Sequence, residues 1–314
     1  MDISWRSRGI FVPKVLRRSI TEVEDRPGNC IGLVPCVESP DKNRTKSPRH
    51  RNALFAFRKY STCGDSCMPI PVRNCLAVLT RIVLISTILL VAWAALLAVP
   101  QPLFRFSVRA ENLVLHSDRP FSEAAGKRVL VMAESKLSRS PLYSGRREYH
   151  VFICNSRWRQ LLFFNKDYGA GGVAQYPVTA QVFLREARVE DNRLISPSGN
   201  PVMGDRTLGY FVAHEIARQL TGADIGPLRF YRLPRWVREG YADYVGKGDS
   251  FHYDEGKRAF LSEAPEMDQK SGLYSRFHLL VAYLLDHRHW SLEQLLKAPP
   301  PELTVEDAIR SEKP

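Results

Sequence analysis

His214 and Glu215 are adjacent, and Arg218 stands one helical turn after the histidine. Further on, Glu239 and Asp243 repeat the same four-residue spacing. In a helix, residues i and i+4 share a face. Two histidines so spaced, with a glutamate directly after the first, present two imidazoles to one Zn²⁺ and place a general base beside its water. Here arginine takes the place of the second histidine. A histidine–glutamate pair on a helix is ordinarily structural. The weight therefore rests on the second segment, Trp236-Val237-Arg238-Glu239-Gly240-Tyr241-Ala242-Asp243-Tyr244.

With both runs in view, the chain resembles the gluzincin-type (peptidase MA-like) zinc metallopeptidases, over about residues 127–300. The resemblance implies a role for each matching position. His214 would be the first metal ligand and Glu239 the third. Glu215 would be the base that activates the water. Asp243 would be the carboxylate that orients a ligand imidazole. A downstream tyrosine, Tyr274 or Tyr283, would supply a hydroxyl to the oxyanion. Leu273, Phe277, Leu280 and Leu284 give packing as the plainer role for both tyrosines. Arg218 occupies the position of the second ligand, so the E-G-x-A-D-Y half fits the pattern and the H-E half departs from it.

The departure bears on mechanism. Catalytic zinc takes three protein ligands and one open position. A guanidinium has no lone pair to donate and stays cationic at any accessible pH. Three readings follow. Arg218 pairs with Glu239 or Glu215 and its fixed charge stands in for the metal, leaving weak or no hydrolase activity. Alternatively, Arg218 swings away and another histidine, His252 or His278, completes a zinc site. In the third reading the helix pair is scaffolding for an unrelated role. Zinc is the cofactor if the site is competent, and otherwise there is none. A competent site would hydrolyse peptide bonds; an incompetent one would leave a groove for a peptide or protein partner.

Positioning these residues requires an α+β domain. Apolar runs at 127–135, 147–155, 159–165 and 179–189 have strand lengths and are separated by turn signals, which predicts a small antiparallel sheet. Strand 179–187 would offer an edge to an extended peptide. Helices are expected over 207–222, capped near Asp205 or Thr207, and over 234–246, 273–287, 291–299 and 304–312. His287 and His289 fall on different sides of a solvated helix end. The Gly169–Gly172 loop lacks a following helix and is no phosphate cradle.

Upstream lies an 18-residue uncharged run, Ile82–Val99, extending back to Cys75 with Arg81 as the one interruption. Roughly 20 apolar residues cross a bilayer as a helix. The run predicts a single transmembrane helix at 75–99 and a peptidase-like domain at 105–314. Arg81 would snorkel and Trp93 would sit toward the far interface. Net charge is +12, of which +7 lies in residues 1–75 and only +4 in 101–314. That distribution excludes a dedicated nucleic-acid-binding domain. It favours a cell-membrane location with the N-terminus cytoplasmic and the C-terminal domain outside. The partners expected are thus the lipid bilayer and a peptide or protein substrate. Residues 1–67 read as a disordered basic tail, or as untranslated sequence ahead of a start at Met68. Of six cysteines only Cys154 follows the apolar run, so the domain must rest on its core and not on disulfides.

Overall fold

The computed structural model of this chain describes residues 72–164, 167 and 169–312. The tail at 1–67 and the alternative start at Met68 lie outside the described residues.

Helix α1 (Val72–Ala98) contains one stretch, Leu76–Ala98, with mean hydropathy 2.3, long and apolar enough to cross a membrane. Almost none of it is covered by protein. Its last turns are different. Leu97 is fully buried, and Trp93 donates from Nε1 to the Leu162 carbonyl at 3.3 Å. The tryptophan expected at the far interface is thus held against the domain.

The domain is α+β, with a mixed sheet rather than an antiparallel one. Strands β1 (Phe106–Ala110), β2 (Leu113–Ser117), β3 (Tyr149–Ile153), β4 (Gly172–Ala174) and β5 (Val182–Leu184) lie in the order β1-β2-β3-β5-β4. The β2–β3 and β3–β5 pairs are parallel, and the outer pairs β1–β2 and β4–β5 are antiparallel. A short pair, β6 (Ala187–Arg188) and β7 (Arg193–Leu194), stands apart.

The correction follows from two segments that are helices, not strands. Residues 127–135 lie in α2 (Glu123–Leu137) and residues 159–165 overlap α3 (Arg157–Phe164). Parallel neighbours need a crossover, and α2 and α3 supply it. In α2 the buried residues are Ala125, Gly126, Val129, Leu130, Ala133 and Leu137, a helical spacing, while Val131 and Met132 are exposed. The compact V-L-V-M run hides that period, because a short apolar run fits either element. Residues 182–184 also sit inside the sheet. The free edge beside the site is β4, not the 179–187 segment.

The sheet divides two cores. One face packs with α2 and the C-terminal helices around Leu115, Val151 and Leu184. The other carries Phe152, Phe183 and Val173, which pack with Phe163 of α3 and Leu97 of α1. On the first side follow α4 (Leu208–Ile225), α5 (Pro227–Arg232), α6 (Arg235–Lys247), α7 (Tyr253–Leu261), α8 (Ser275–Ala282), α9 (Leu292–Lys297) and α10 (Glu302–Ser311). Thr207 caps α4 by accepting from the Tyr210 amide. The 273–287 run divides into α8 and a π-helical turn, Tyr283–His287. Gly240 lets α6 and α8 touch: a Cβ there would meet the Phe277 carbonyl oxygen at 2.6 Å.

Candidate functional site

Helices α4 and α6 lie side by side, and the residues read from the sequence meet between them. His214 and Glu215 come from α4 and Glu239 from α6; all three are buried. His214 Nε2 lies 3.6 Å from Glu239 Oε2. Arg218 reaches into the same place. Its guanidinium donates to Glu215 Oε2 at 3.0 Å and stands 3.5 Å from Glu239 Oε1. Arg238 adds a second guanidinium to Glu239 at 3.3 Å. Glu215 in turn packs on the sheet edge, where a Cβ on Gly172 would meet Glu215 Cγ at 2.8 Å.

These contacts fix the charge states. Burial would push the Glu239 carboxyl up. The imidazole of His214 and the guanidinium groups of Arg218 and Arg238 outweigh it and hold the group at about 2. Burial likewise opposes the Arg218 charge, and Glu215 and Glu239 more than restore it. The centre is an internal ion network with every charge opposed.

Asp243 is fully buried and does not touch His214 directly. It accepts from the Tyr210 hydroxyl at 2.5 Å, and that oxygen lies 3.3 Å from His214 Nδ1. An ionised carboxylate only accepts, so the Tyr210 proton points at Asp243. The phenol oxygen is then left to meet the His214 ring from the side away from Glu239. Burial works against the Asp243 charge, but His278 at 3.0 Å and Lys247 at 3.3 Å hold its pKa low. Tyr210 and Lys247 escaped the sequence reading, although the spacing could have found both. Tyr210 precedes His214 by one turn, and Lys247 follows Asp243 by one turn.

Tyr274 lies in the cleft, just before α8, at φ 59°. Its ring stacks on His214 with centroids 5.6 Å apart and planes 12° from parallel. Burial raises its hydroxyl pKa, and Glu239 and Glu215 raise it further. A bulky residue held at positive φ marks backbone fixed by its surroundings. Tyr283 is buried in the π-helical turn and does not line this cleft. Neither histidine proposed as a substitute ligand reaches the centre. His278 is committed to Asp243 and packed against Phe251, and His252 is an exposed residue ahead of α7.

The cleft over this centre holds about 750 Å³. The Gly171–Ala174 edge forms one side, and Tyr176, Phe230, Tyr231 and Tyr274 contribute aromatic surface. Arg185, Arg206 and Arg235, none of them singled out from the sequence, also line it. No family model, curated protein or solved structure matches this chain. Among the described residues, no group of three or more His, Cys, Asp or Glu side chains is arranged to hold a metal ion.

Proposed function

We propose that this chain is a membrane-anchored, metallopeptidase-like protein whose cleft binds a peptide without cutting it. The observation that carries this reading is Arg218, whose guanidinium bridges Glu215 and Glu239 where a gluzincin would hold its ion. The donor set does not fit a catalytic zinc. His214 and Glu239 are two ligands where three are usual, and a permanent cation lies within 3.5 Å of one of them. Glu215, the residue in the position of the base, is tied to that same cation.

Peptide binding is supported by the sheet edge. Strand β4 is the terminal strand beside the cleft, so an extended chain can add to it by main-chain hydrogen bonds. The apolar Leu76–Ala98 helix supports anchoring, and the +7 charge of residues 1–75 supports an N-terminus inside and a domain outside.

Metal content of the full chain, purified in detergent, tests the reading. Wild type is expected to carry no zinc, and Arg218→His to take up about one ion per chain by restoring the third donor. About one zinc in wild type, lost on His214→Ala, would instead make this an active-type metal centre. No zinc in either protein would remove the metallopeptidase resemblance as a guide to the site.

A further inference from the structure

We infer that the cleft is selective for an acidic peptide, with Arg206 and Arg235 as the residues that read its carboxylates. The inference rests on the peptide-binding reading above and names the substrate class.

The charge balance comes first. Five arginines line the cleft against three carboxylates, Asp167, Glu215 and Glu239. Two of those carboxylates are already satisfied internally, since Arg218 and Arg238 between them hold Glu215 and Glu239. Arg206 and Arg235 have no carboxylate within ion-pair distance among the described residues. Arg206 lies against Tyr210 and Phe211, with its guanidinium carbon 4.9 Å from the Phe211 centroid, and donates to the Gly272 carbonyl. A guanidinium stacked and partly hydrogen-bonded in this way keeps a free, oriented donor edge.

Two further observations point to a missing acceptor. The Nε atoms of Arg206 and Arg218 are buried with no hydrogen-bond partner among the described residues. Buried donors of this kind are rare, and each calls for an explanation. Arg235 meanwhile opens α6, whose first turn contains no acidic residue. A cation there opposes the helix dipole, and its charge meets only the Tyr274 and Phe277 rings, each with its centroid 5.9 Å from the guanidinium carbon. An incoming carboxylate would satisfy both features by charge-assisted hydrogen bonds. The adjoining β4 edge favours an extended chain over a lone ion, because it offers main-chain partners along its length.

Fluorescence anisotropy on the full chain in detergent tests this. The probes are labelled peptides alternating alanine with glutamate, glutamine or lysine. The glutamate peptide is expected to bind at least roughly tenfold tighter than the glutamine peptide, with the lysine peptide weakest. High salt should weaken only the glutamate peptide. Arg235→Glu is exposed and should fold normally; it should lower glutamate-peptide affinity about tenfold and leave the glutamine peptide unchanged. Arg206→Gln should act in the same direction. Equal binding of all three peptides would overturn the acidic preference and leave the peptide cleft intact. Failure of every peptide to bind would overturn both. If inorganic phosphate competes as well as the free glutamate peptide does, the site reads a small anion and the peptide assignment is overturned.

Discussion

Removing the Arg218 guanidinium leaves Glu215 and Glu239 buried together with part of their compensation gone. Breaking a buried pair from one side costs about 3–5 kcal/mol, because the remaining charge keeps its desolvation penalty. Arg218→Met should therefore lose roughly that much in denaturant unfolding at neutral pH, despite similar side-chain volume. An unchanged midpoint would mean that the network is not a structural substitute for an ion. The same centre predicts an acid response. Glu239 is ordinary at 4.5 when unfolded and sits at about 2 when folded. Between those values the unfolded chain binds more protons, so stability is lost as pH is lowered. The contribution is complete above pH 4.5 and disappears as pH drops through 2, amounting to roughly 3 kcal/mol. Glu239→Gln should flatten that part of the profile; a wild-type-like slope in the variant would assign the acid response elsewhere.

Among the elements, α4 was legible because Leu208, Phe211, Val212 and Leu220 stand at helical spacing, and α6 because a proline precedes it and glycine follows it. The sheet was not. The apolar runs inside 127–135 and 159–165 are too short for periodicity to separate strand from helix. Once they are read as strands, the crossovers vanish and the sheet becomes antiparallel on paper. The pairing of Arg218 with Glu215 or Glu239 was one of three readings, and the meeting of the two helices rested on the gluzincin resemblance, since spacing aligns residues only within a helix. Arg206, Arg235 and Tyr210 were not singled out, because their roles depend on tertiary placement. The E-G-x-A run also has a packing reason that spacing cannot reveal. Gly240→Ala would put a methyl against the Phe277 backbone, which cannot yield as a side-chain tip would. Separating α6 from α8 should cost about 1–3 kcal/mol in a melt. It should also disturb the His278–Asp243 contact between them. On the sheet, His116 is lowered from 6.5 to about 4 by burial and then by His150, which lies 3.0 Å away. Folding keeps that ring neutral while the unfolded chain takes up a proton, so its contribution is intact above pH 6.5. It is lost as pH falls toward 4, on the order of 2 kcal/mol. Denaturant midpoints for His116→Phe should lack this step.

At the scale of the whole molecule, the apolar helix and the domain share a core. Leu97 is fully buried with Phe104, Phe152, Phe163 and Phe183, and Trp93 bonds α3 from the same end of α1. A simple tether would leave its last turn free of the domain, and its substitution would not be felt there. Here the second face of the sheet is closed partly by the apolar helix itself. Leu97→Ala should thus destabilise the domain by about 2–5 kcal/mol, the usual range for a truncated core leucine. For a domain of this size each kcal/mol moves the melting temperature by about 2–4 °C. A fall of roughly 5–15 °C is expected. Leu84→Ala, on the exposed part of the same helix, is the control and should leave the melt unchanged. If both variants melt like wild type, α1 is only a leash. If Leu97→Ala alone lowers the melt, the apolar helix is part of the fold, and its direction relative to the cleft is set by packing and not by linker length.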